Sequence, residues 1–196
     1  REVCGVFERI AYYIFVLPEL SNIQTYVKLE GTNYRATLDV FASVLKEIGI
    51  WDNRISNAFD SFEWTVEDNG FIYGSLSNLG YYTSKHSRIK IRPQLMVFSS
   101  AVDETFHHHW IECSLLIMTK DIFDFDRIQY FSSSCRLVEN LVSDFIGKFD
   151  HTGVYFTNEA QDGEDFDGVR TNDQTKLWEF DYAIIPPTLF NLYQNP

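Results

Sequence analysis

The sequence predicts an α+β fold: a mainly antiparallel sheet packed by one long amphipathic helix, with an additional N-terminal helical segment. Three observations predict it. Apolar residues recur at steps of three and four near the start, switch to steps of two through the middle, and return to threes and fours between Ile128 and Phe149. The strand-like stretches follow one another without a helix between each pair, which excludes repeated βαβ units. A chain of 196 residues with 45% hydrophobic residues buries one sizeable core. We therefore expect a single domain over 1–196, divided into an N-terminal helical segment at 1–55 and a sheet-and-helix core at 56–190.

In chain order, Val6, Phe7, Ile10, Tyr13, Ile14 and Leu17 mark a first helix from Val3 that Pro18 ends, and a loop is expected after it. Leu38, Phe41, Leu45 and Ile48 mark a second helix, with Thr32 or Asn33 as N-cap and Gly49 as its stop. Phe62, Trp64 and Val66 then alternate, Asp68-Asn69-Gly70 supplies a turn, and Phe71 and Tyr73 resume the alternation, which predicts a hairpin. Residues 74–87 are rich in Gly, Ser, Asn and Thr and read as a long loop. Two long strands follow, Arg88–Phe98 with Ile89, Ile91, Leu95 and Val97 on one side, and His108–Met118 with Ile111, Cys113, Leu115 and Ile117 on one face. Pro93 predicts an edge position or a bulge in the first of them.

Ile128, Phe131, Cys135, Val138, Val142, Phe145 and Phe149 form one apolar stripe, so the long helix is expected over Asp124–Phe149, with Asp124 and Asp126 at its N-terminus and Lys148 at its end. Val154–Phe156 reads as a short strand and Glu159–Asp173 as an acidic loop. Trp178, Phe180, Tyr182 and Ile184 alternate in a last strand closed by Pro186-Pro187.

Charge is unevenly spread: residues 1–100 hold 10 basic and 11 acidic side chains, residues 101–196 hold 6 and 17, and the net charge is -12. Such a surface repels phosphate backbones and suits a basic partner, a metal or plain solubility. No apolar run approaches the ~20 residues that span a bilayer, so the expectation is a soluble protein. Three cysteines in no disulfide or CxxC spacing predict a reducing compartment, with Cys113 and Cys135 as core residues.

The run His107-His108-His109 is the one motif that invites a metal. On a strand His107 and His109 share a face, with His86, His151 or Glu112 as further ligands; the simpler expectation is that these imidazoles make structural hydrogen bonds and hold no metal. Asp162-Gly163-Glu164-Asp165-Phe166-Asp167-Gly168 resembles a calcium loop but fails its register, since with either Gly163 or Gly168 at position six no Glu falls at position twelve. There is no GxSxG, GxGxxG, P-loop or HExxH motif, and Asp103 and Glu104 are neighbours that point to opposite faces of a strand. The expectation is a non-enzyme with no cofactor. The segment 74–87 sets Leu76, Leu79, Tyr81 and Tyr82 on an adaptable backbone, and these four are the interface candidates.

Two long strands, an Asp-started amphipathic helix, a variable loop and the closing aromatic strand Leu177-Trp178-Glu179-Phe180-Asp181-Tyr182-Ala183-Ile184 make an order that, over roughly residues 60–186, resembles the tail terminator or tail-completion proteins of tailed bacteriophages. The resemblance implies a virion ring subunit at the neck or tail, assembled in the host cytoplasm, with copies of itself and neighbouring virion proteins as partners. It implies neither sequence-specific nucleic-acid binding nor a membrane. Two helices in the first 55 residues and the long 74–87 segment depart from that pattern. The alternative expectation, from charge, is an acidic binding or immunity protein that neutralises a basic partner.

Overall fold

The computed structural model describes residues 20–76, 78–84, 89–100, 108–124, 126–127, 129–149, 153–157, 163–171, 173, 175, 178 and 180–189. The helix expected from Val3 to Leu17 lies outside them.

The chain order is β1 (Leu20–Lys28), α1 (Asn33–Glu47), α2 (Asn53–Asp60), β2 (Thr65–Val66), β3 (Ile72–Leu76), β4 (Tyr82–Thr83), β5 (Lys90–Ser99) and β6 (His109–Met118). A small hairpin of β7 (Phe123–Asp124) and β8 (Gln129–Tyr130) leads into α3 (Ser132–Ile146), β9 (Val154–Thr157), α4 (Gly163–Arg170) and β10 (Tyr182–Ile184). Eight strands form one sheet in the order β10-β9-β1-β6-β5-β3-β2, with β4 also on β5, and its pairings are antiparallel. The α+β class and the antiparallel sheet agree with the sequence.

Period-two alternation assigns the two faces of the sheet. Ile23 and Val27 of β1, Ile91, Leu95 and Val97 of β5, Ile111, Cys113, Leu115 and Ile117 of β6, and Val154 and Phe156 of β9 all join one apolar cluster. Leu38, Phe41, Val44 and Leu45 of α1, Ile55 and Phe59 of α2, and Val138, Leu141, Val142 and Phe145 of α3 close over that core face. The other, far face is covered at one end by α4, whose Phe166 stacks on Tyr26 at 4.1 Å and meets Trp110 edge-on at 5.2 Å.

Several elements differ from the sequence expectation, each for a local reason. The expected loop before α1 is β1: it is buried on both faces, and Ser21, Asn22, Gln24 and Thr25 break the apolar pattern that would have marked it. The short α2 went unread because only Ile55 and Phe59 are buried; Asp52 starts it by accepting a 2.9 Å hydrogen bond from the Ile55 N–H. The segment 74–87 is not a loop throughout, since β3 runs to Leu76 and β4 pairs with β5. Gly74 belongs there for packing: a Cβ on it would fall 2.7 Å from that of Trp64.

The long helix is shorter than the apolar stripe. Asp124 and Asp126 do not sit at its N-terminus; Asp124 Oδ1 instead accepts the N–H groups of Asp126 and Arg127, both at 3.1 Å, and turns the β7–β8 hairpin. Helices α1 and α3 each span 15 residues. The expected acidic loop contains α4, and strand pairing near the end is confined to Tyr182–Ile184, while Trp178 turns into the aromatic cluster under α4.

The edge expected at Pro93 is real but local. β5 meets β6 along one side; on its other side β4 partners Lys90 and Ile91 and β3 partners Leu95 to Phe98, so Pro93 faces the gap between them. A residue without an N–H is tolerated there.

Phe145 is fully buried, its ring 6.0 Å from Phe41 and 5.9 Å from Phe149, so it ties α3 to α1. Phe145→Ala is expected to cost ~3–5 kcal/mol in denaturant titration, from lost transfer energy plus a cavity; a loss below ~1 kcal/mol would show that this face is not core.

Tyr130 supplies a pH test. Burial, then Asp181, then Cys135 push its phenol far above the ordinary tyrosine range. The unfolded chain ionises this phenol near ~10 while the folded chain keeps it neutral. Its contribution is therefore complete below that pH and is lost as pH rises above it. Tyr130→Phe should flatten the fall in stability above pH ~10, and an unchanged slope would assign that fall to other groups.

Candidate functional site

Of the histidine run, His108 and His109 lie at the start of β6, where successive side chains take opposite faces. His109 Nδ1 is 2.8 Å from Ser99 Oγ, and that oxygen also accepts the Ile72 N–H at 2.8 Å. His108 Nδ1 is 3.1 Å from Asp167 Oδ2; the imidazole is 34% exposed and the carboxylate 1%. Glu112 lies on the far face, where the Ser114 hydroxyl donates to it at 2.6 Å, so it cannot join His109 as a metal ligand. His86, His107 and His151 lie outside the described residues, among which no three His, Cys, Asp or Glu side chains gather as a metal site.

The calcium-like stretch is helical from Gly163 onward. Asp162 lies outside the described residues, Glu164 and Asp165 occupy the first turn, and Phe166, Asp167 and Gly168 are buried. Asp167 is thus a fastening of α4 to β6 and not a surface charge. Gly163 is held to a bare Cα because any Cβ would overlap the Phe98 ring, and Arg170 stacks on Trp110 at 4.6 Å. Burial, helped by Glu112, pushes the Cys113 thiol well up, which suits a packing residue. No described helix is long and apolar enough to cross a membrane.

The four interface candidates divide by side of the sheet. Leu79 is 4% exposed and belongs to the core, and Leu76 and Tyr82 pack against it from the core face. Tyr81 turns the other way, 38% exposed, with the Arg92 guanidinium 5.5 Å above its ring. Shortening 75–82 would therefore remove core, so Leu76, Leu79 and Tyr82 are packing residues and not, as expected from the sequence, interface residues.

Across β9, β1 and β6 the far face is closed and polar, with Asn22, Gln24, Glu112, Ser114 and Thr157 all buried and Asn22 donating to Gln24. Across β3, β4 and residues 90–96 of β5 it is open, while Phe98 of β5 is covered by α4. There Tyr73 is 46% exposed, Lys90 is exposed, and Ser75, Arg92, Gln94 and Met96 are half-buried. This open wing is the candidate functional site: a flat surface of tyrosine, arginine and methionine, residue types enriched where proteins meet. Sequence reasoning named Tyr81 but did not single out Lys90, Arg92 and Met96, which alternate with the core-facing residues of β5.

No protein-family model matches the chain, and no curated protein is significantly similar to it.

Replacing Asp167 by Ala is expected to cost about 1–3 kcal/mol, because the imidazole loses its acceptor and α4 its buried anchor. Amide exchange over 163–171 should rise before that of α3. If the two helices exchange in step, Phe166 and Gly163 hold α4 without the His108 pair.

Proposed function

We propose that this protein is a non-catalytic structural subunit that assembles with copies of itself, most concretely as a virion ring subunit at a phage tail or neck. The observation that carries the reading is the open wing: two exposed tyrosines, Tyr73 on β3 and Tyr81 just before β4, with a cation stacked on the second. Contact surfaces on strands are preset, so little ordering entropy opposes assembly. The order of elements likened above to tail-completion proteins is the support for the virion setting.

A second reading, an acidic module that neutralises a basic partner, is favoured by Glu63, Glu67 and Asp68. All three are exposed beside the β2–β3 turn, and among the described residues none makes an ion pair.

Sedimentation equilibrium over a wide range of protein concentration tests the first reading. A mass that rises to a defined multiple of 22.9 kDa is expected. A monomer at every concentration that captures a basic protein would favour the second reading instead.

A further inference from the structure

Charge along the open wing is ordered. Residues 69–102 contain no acidic residue, in a chain whose remainder holds 28, and the described cations among them are Lys90 and Arg92. These two alternate with the core-facing Ile91 and Pro93 and so share the far face of β5 with Gln94 and Met96. At the opposite end of the wing, Thr65 pairs with Tyr73, and Glu67 donates its N–H to the Phe71 carbonyl, so Thr65, Glu67 and Tyr73 continue that same face. The face thus runs from cations beside Tyr81, through Ser75, Gln94 and Met96, to a carboxylate beside Tyr73.

The two ends do not neutralise each other. Tyr73 is level with Phe98, six residues along β5 from Arg92, a span of ~20 Å at the rise of a strand. That is about twice the screening length at physiological salt. The edge itself is an unfavourable place for sheet extension, since β2 has only two residues and exposed carboxylates flank it. Contact through the face is the alternative.

We propose that the open far face of β3, β4 and β5 is a self-complementary contact between two copies of this chain, related by a two-fold axis. A basic partner would leave Lys90 and Arg92 facing like charge, and an acidic partner would do the same to Glu67. A second copy turned by the two-fold presents the inverse order by construction: its Glu67 end meets Lys90 and Arg92, its cationic end meets Glu67, and Tyr73 and Tyr81 meet between them. The contact rests on the self-assembly reading above and pairs two copies; a two-fold contact closes at a dimer, so the pairs of a ring would join through a further surface.

Charge swaps at the two exposed positions test it by sedimentation velocity on the full chain, with circular dichroism to verify the fold. Lys90→Glu and Glu67→Lys should each weaken self-association about tenfold, because each acts at two symmetric places. The double swap should recover part of it, since positions 67 and 90 again carry opposite charge while Arg92 is unchanged, and Tyr73→Ser with Tyr81→Ser should weaken it by a route that salt does not relieve. Assembly that ignores both single swaps, or a double swap as weak as the singles, would overturn the contact while leaving self-assembly standing. A wild-type monomer at every concentration would overturn both.

Discussion

The structure depends on the central antiparallel triplet in which β6 lies between β1 and β5 with both faces buried along most of its length. A strand in that position cannot leave a backbone group unpaired, and the register Leu20↔Met118 through Lys28↔Trp110 on one side and Ile91↔Ile117 through Ser99↔His109 on the other meets that requirement. Burying two faces requires two covers. Helices α1, α2 and α3 supply the first over the apolar side, and α4 with the aromatic cluster of Tyr26, Phe98, Trp110, Tyr155, Phe166 and Trp178 supplies part of the second.

The second cover shapes everything that distinguishes this sheet. Beyond the aromatic cluster the buried far face is polar; Ser114 bonds Glu112 and Asn22 bonds Gln24, while Asn22 Oδ1, Gln24 Nε2 and Thr157 Oγ1 have no partner among the described residues, a costly arrangement. The fastening of α4 avoids that cost: a nearly inaccessible Asp167 is tolerated because His108 reaches it from the start of β6. Where the cover stops, across β3, β4 and residues 90–96 of β5, the far face is open to solvent and leaves Tyr73 and Tyr81 exposed among ordered charge.

Much of this was legible in the chain. The class, α1 and its stop at Gly49, with φ of 76°, the hairpin around Gly70, β5, β6, β9 and the apolar stripe of α3 all follow from period and turn chemistry. These elements keep apolar residues at a regular step along the core face, which shows in the sequence even for β6 and β9, buried on both faces. The misread elements share a different property. β1 is buried on both faces with polar residues among the apolar ones, α2 and α4 are too short to show a helical period, and the acid content of α4 resembles a solvated loop.

By itself, then, the sequence determined which residues are apolar at which spacing, and hence the α+β class, the one-sided strands and the sign of the surface charge. Only the tertiary structure decided that Leu79 enters the core while Tyr81 faces out, that Asp167 is a buried anchor, and that Lys90, Arg92 and Glu67 share one open face. The physical reason is that local period specifies which side of an element a residue takes, whereas the cover laid over that side comes from segments distant along the chain. Asp167 and His108 are 59 residues apart, and Thr25 bonds the Gly153 carbonyl from 128 residues away. Whether a face becomes core or contact surface is therefore settled by packing, not by pattern.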